Sequence, residues 1–200
     1  MIRQGQLLFE IGVEEIPHWM IAPALAEIDR LFRALLEEHR LKATGIQVDG
    51  TPRRLVLRAM NLPTRQPDRE ELIMGPPKAA GEGAATGFAR KNGVTPEQLT
   101  IESTPKGDYF ALRRKVEGRP TRDILAEALP RLIASIPWPK TMYWTGKDGV
   151  RFIRPIRWIV ALLVDRVIPF EFGGVAAGAI SRGHMRSEEH TSELQSLTNL

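Results

Sequence analysis

The sequence predicts an α+β fold of mixed and antiparallel sheets with two main amphipathic helices, beginning β-α-β-β. Three observations carry that prediction. Leu7, Phe9, Ile11 and Val13 alternate at strand period. Ile21, Leu25, Ile28, Phe32 and Leu35 then recur at helical spacing. Two apolar runs, Ile46–Val48 and Leu55–Met60, flank Asp49-Gly50-Thr51-Pro52, a hairpin signal.

In chain order, the first strand places Glu10 and Gly12 on the face opposite its apolar residues. Glu14 and Glu15 precede Ile16-Pro17, where proline suits a first helical turn and acids suit its positive end. Pro23 would break a helix begun at Pro17, so the regular part is expected to start near Ala22 and end near His39. Pro63 to Pro67 reads as a connector, followed by a short apolar run, Leu72 to Met74. The segment Ala79 to Asn92 is expected to form a loosely packed helix ended by Gly93. Thr100–Ser103 and Tyr109–Val116 predict a second hairpin, and Thr121 opens an amphipathic helix running to Ile136, with a kink expected at Pro130. Trp158 to Val164 reads as a buried strand that turns at Asp165-Arg166 into Val167–Phe172, and Gly173 to Ile180 as a small, flexible stretch. The expected organisation is a β-α-β-β module over 1–62, a second α+β module over 63–185, either separate or packed with the first as one unit, and a foreign, disordered tail over 186–200. The tail, RSEEHTSELQS onward, resembles a translated adapter oligonucleotide.

Composition narrows the function. The chain has no cysteine, which excludes disulfides, thiolate metal sites and a cysteine nucleophile. It has no apolar run long enough to span a membrane and no signal peptide, so a cytoplasmic location is expected. The net charge is +4, and residues 1–185 alone hold 27 bases against 21 acids, a body suited to a polyanion. No glycine-rich nucleotide loop, no histidine pair at ligand spacing and no serine or threonine with an arranged base is present, so the residues reveal no catalytic centre.

What remains is basic and aromatic. Trp138 to Val160 contains three of the four tryptophans, with Tyr143 and Phe152, and interleaves Lys140, Lys147, Arg151, Arg154 and Arg157 with one acid, Asp148. Flat faces stack on bases and spaced cations neutralise phosphates. The same pattern also fits an edge hairpin that buries its tryptophans and solvates its arginines. Pro155 excludes a continuous helix, and in an extended chain Arg151 and Arg157 share a side opposite Arg154. Arg53 and Arg54 add a second basic point.

These segments together resemble the β subunit of bacterial heterotetrameric glycyl-tRNA synthetase. The likeness rests on FEIGVEEIP at 9–17, TPRRL at 51–55, Gly75-Pro76, GFARKNGV at 87–94, the WPKTMYW…RFIRPIRW block and ISRGH at 180–184. Tyr143 stands where that family often has arginine. The resemblance implies an N-terminal fragment of the tRNA-binding, non-catalytic subunit of an α₂β₂ glycine–tRNA ligase. It implies an α subunit and tRNA(Gly) as partners, and neither a membrane nor DNA. It implies no cofactor on this fragment, with ATP and magnesium used by the α subunit. The expected RNA-contacting residues are Arg53, Arg54, Lys140, Tyr143, Trp144, Arg151, Arg154, Arg157 and Arg182. A scaffold or subunit-interface module without RNA contact is the alternative, and a hydrolase using Glu10 or Glu14 is a third reading.

Overall fold

The computed structural model describes residues 3–105, 107–146 and 149–183, together with the backbone of Thr191–Glu193. The chain forms two compact units, one made of 1–66 with 119–200 and one of 67–118. The expected organisation leaves open whether the module after residue 62 packs with the first; here the segment after Gly118 belongs to the same unit as residues 1–66.

In the larger unit β1 (Gln4–Val13) is central. It pairs antiparallel with β3 (Arg54–Pro63) on one side and β9 (Ile156–Leu163) on the other. β2 (Thr44–Thr51) closes the β3 edge across a two-residue turn, Pro52-Arg53, shorter than the expected four-residue connection because Thr51 and Arg54 already pair. On the other edge β10 (Arg166–Val167) folds back on β9, and β11 (Glu171–Phe172) turns at Gly173-Gly174 into β12 (Val175–Gly178). Both glycines have positive φ, 59° and 81°, which side-chain-bearing residues rarely adopt. β12 runs parallel to β9. The stretch Gly173–Ile180, expected to be flexible, is therefore a turn followed by a strand; its glycines and alanines are too small to give a period-two apolar signal.

Helix α1 (His18–Glu38) and helix α3 (Thr121–Ser135) cover the face of the sheet that carries Leu7, Phe9, Ile11 and Val13. Phe9, Phe32, Leu55, Leu57, Leu125 and Leu129 are fully buried there. α1 starts at His18, not near Ala22. Pro23 is tolerated inside the helix because it lies on the exposed side, where the carbonyl that it leaves without a partner can meet water. The opposite face of β1 is buried too. Leu8, Val160 and Leu162 form a second apolar cluster joined by Val56, Trp158, Val167 and Ala179. Beside it runs β13 (Ile180–Arg182), and Thr191–Glu193, labelled β14, pairs with β13. The rest of 186–200, expected to lie outside the core, falls outside the described residues.

The smaller unit is a three-stranded sheet of β4 (Arg69–Pro77), β6 (Gly107–Val116) and β5 (Thr100–Thr104) with helix α2 (Glu82–Asn92). Gly93, in the left-handed region at φ 69°, ends α2 as expected. β4 extends well beyond the apolar run Leu72–Met74, because its charged residues pair by backbone with β6. Among the described residues no helix is long and apolar enough to cross a membrane. The remaining strands, β7 (Met142–Tyr143) and β8 (Arg151–Phe152), form a two-stranded ribbon in the larger unit.

Candidate nucleic-acid interface

Register places the site. Gly12 on β1 sits opposite Arg54 on β3 and opposite Trp158 on β9, so the three form one cross-strand row. The glycine leaves the middle of the row open. A Cβ there would lie 1.9 Å from the Trp158 ring, so only glycine lets the indole lie over β1. The Arg54 guanidinium then reaches over the indole, 5.8 Å from its centroid.

Glu10, one step along the same face and only 3% exposed, joins four strands. The Trp158 Nε1–H and the Ser181 hydroxyl donate to its Oε1 at 2.6 and 2.7 Å, and Arg54 Nε lies 3.4 Å away. Arg54 also donates to the carbonyl of Arg182. A buried carboxylate needs such partners to offset its lost hydration. This network ties β13 to the sheet, with two donors and a cation around the buried carboxylate.

The carboxylates just after β1 behave differently. Glu15 accepts from Arg53 Nη2 at 2.8 Å, and Glu14 accepts from Arg157 Nε at 2.5 Å; both pairs are largely exposed. Arg154 Nε donates to the Glu15 carbonyl at 3.0 Å. The loop is pinned by backbone bonds from Val13 to Arg53, from Ile16 to Pro52 and from Glu14 to Pro155. Arg154 and Arg157 thus converge on one loop instead of facing opposite ways. Residues 153–155 bend between β8 and β9, so the alternation of a single extended strand does not apply.

The β7–β8 ribbon carries the rest. Tyr143 and Arg151 are cross-strand partners, and the Arg151 guanidinium stands 5.0 Å from the exposed tyrosine ring. Lys140 and Arg154 line a hollow of about 300 Å³ with Trp19, Met142 and Ile153. Lys140, Arg151 and Arg154 have no carboxylate within ion-pair distance among the described residues. Lys147 lies outside the described residues.

Two tryptophans of this region serve the core. Trp138 packs edge-on against Phe152, with centroids 5.4 Å apart. Trp144 packs against the main core, so close to Gly173 that a Cβ there would lie 2.6 Å from its ring. Of the nine residues expected to contact RNA, the structure therefore gathers Lys140, Tyr143, Arg151 and Arg154 around the ribbon and hollow. Arg53 and Arg157 are tied to Glu15 and Glu14, Arg54 and Arg182 belong to the Glu10 network, and Trp144 is half-buried. Trp19 escaped the sequence reading, although it carried a signal. It falls beside Met20 and Ile21, which face the core, and stands 63% exposed. Among the described residues no group of histidine and acidic side chains is placed to hold a metal.

Segments from four distant parts of the chain meet here: FEIGVEEIP, TPRRL, RFIRPIRW and the ISRG at 180–183. The family model described as glycyl-tRNA synthetase beta subunit matches residues 7–199, a span that crosses most of the stretch 186–200. The chain is 49% identical over 186 residues to the glycine–tRNA ligase beta subunit of Trichlorobacter lovleyi, and equally to that of Geobacter metallireducens. It is 44% identical to the one from Acidobacterium capsulatum. Each alignment covers 90% of this chain and 27% of the relative, so the chain spans about a quarter of the length of these curated relatives.

Proposed function

The chain belongs to the glycyl-tRNA synthetase beta subunit family, and on that premise we propose that it helps to engage tRNA(Gly) as an N-terminal, non-catalytic part of such a subunit. In this reading a partner α subunit, using ATP and magnesium, activates glycine and charges the tRNA in the cytoplasm within an α₂β₂ assembly. The supporting observation is the alternation of exposed aromatics with cations that have no acid partner among the described residues: Lys140, Arg151 and Arg154 beside Trp19 and Tyr143. Cations with no acid partner are free to neutralise phosphates, and exposed rings are free to stack.

A second reading, a scaffold that meets another subunit or domain, draws on a different observation. Arg53 and Arg157 are already paired within the chain, and Trp19 and Met142 expose apolar surface. Binding of tRNA as a function of salt separates the two. The variant Lys140→Gln/Arg151→Gln should bind more weakly, with a log–log salt slope lower by about one unit for each charge removed. A folded variant with unchanged affinity and slope favours the scaffold.

A further inference from the structure

We propose that the hollow beside Trp19 seats one unpaired RNA nucleotide, its base stacked on the indole and its phosphate held by Arg154 and Lys140. The proposal rests on the RNA reading above and adds which form of RNA the surface selects. Packing does not explain Trp19: the core-facing side of α1 is made by Met20, Ile21, Ala24 and Ile28, and the indole stands outside it. The hollow's inner surface is apolar, with the buried Met20 and Ile153, while Lys140 and Arg154 supply two cations and, among the described residues, no carboxylate lines it. Arg154 is oriented for this task. Its Nε is committed to the Glu15 carbonyl at 3.0 Å, which fixes the guanidinium plane, and its two terminal nitrogens have no partner among the described residues.

A flat indole accepts any base face by stacking, and a planar guanidinium with an ammonium takes the adjoining phosphate. A base inside a duplex has both faces covered by its neighbours and cannot enter, so the seat selects loops, bulges or ends. The exposed Tyr143–Arg151 pair repeats the same aromatic and cationic combination on the neighbouring ribbon. That repetition favours a nucleotide chain over an acidic peptide.

The test compares a labelled single-stranded RNA hexamer with a twelve-base-pair RNA duplex, each titrated with the chain and with Trp19→Ala and Trp19→Phe, folding being checked by circular dichroism. Trp19→Ala should weaken hexamer binding by about 5- to 150-fold, the range for loss of one base stack, and Trp19→Phe should recover most of it. Duplex binding should be unchanged by either. If Trp19→Ala unfolds the chain, Lys140→Glu provides the reading, and it should weaken the hexamer more than the duplex. Equal losses for hexamer and duplex, or no loss for the hexamer while salt-sensitive RNA binding persists, overturn the seat and leave the RNA reading standing. No salt-sensitive binding of either RNA by the unaltered chain removes the RNA reading itself. If Trp19→Ala weakens association with a partner polypeptide and leaves RNA unchanged, the hollow is a protein-docking site and the proposal fails.

Discussion

Glu10 and the Glu14-Glu15 pair lie within one short stretch and draw partners from the same two segments, yet they do opposite things. Glu10 holds Arg54 and Trp158; Glu15 and Glu14 hold Arg53 and Arg157, the residues immediately before those two. Arg157 and Trp158 alternate along β9, and Arg53 lies in the turn just before β3. Arg54 and Trp158 therefore reach the buried Glu10, while Arg53 and Arg157, at strand ends, keep their guanidinium groups in contact with solvent. Inside, the carboxylate is nearly inaccessible and its hydrogen bonds hold β13 in place. Outside, the same chemistry is wet, and each pair is worth little to stability. Burial, not residue type, decides whether a carboxylate–arginine pair is a structural joint or an adjustable surface charge.

The largest effect expected from breaking this contrast is at Glu10. Glu10→Ala removes the acceptor for the Trp158 indole and the Ser181 hydroxyl and leaves Arg54 without its carboxylate. The expected loss is about 3 kcal/mol in urea unfolding, moderated because Arg54 can turn to water. Glu10→Gln keeps an acceptor oxygen and should lose less. A cost below about 0.5 kcal/mol, typical of surface changes, would put Glu10 in the same class as Glu14.

A smaller loss is expected at Gly12, which has no counterpart on the exposed side. Gly12→Ala drives a methyl into the Trp158 ring and should cost about 1–3 kcal/mol. The cost should shrink when Trp158 is truncated as well, since the two then share one steric cause. Additive losses in that cycle would mean that the indole is not what requires glycine.

The same contrast explains what was legible in the sequence. β1, α1, α3 and the first hairpin follow from periodicity, because one face of each meets a common core. Gly173 to Ile180 was not legible, since its pairing is made by backbone alone. The pattern fitted either stacking surfaces or an edge hairpin that buries its tryptophans, and Trp144 and Trp138 follow the second, both packing inward. Spacing along the chain does not report the bend at 153–155 or the pairing of Met142 with Phe152 that turn them there. The basic residues were visible as a group, but their division between Glu10 and Glu14-Glu15 depends on cross-strand register. Trp19 was the reverse case: an aromatic out of phase with the apolar stripe, legible once α1 is known to begin at His18.

The smallest expected change in stability carries a gain in binding. Glu14→Gln/Glu15→Gln should alter unfolding free energy by less than about 1 kcal/mol for each exposed pair. The Arg53 and Arg157 guanidinium groups would then have no carboxylate to satisfy them and would be available to phosphates. Binding of RNA should tighten, and the log–log salt slope should steepen by up to about two units, one for each arginine released. Binding of mixed-sequence RNA should gain as much as binding of tRNA(Gly), because the added contacts are to phosphates and carry no base information. A loss of affinity in the folded double variant would reverse the inference: the two carboxylates would then position the arginines for RNA, and the wet joint would be as structural as the buried one.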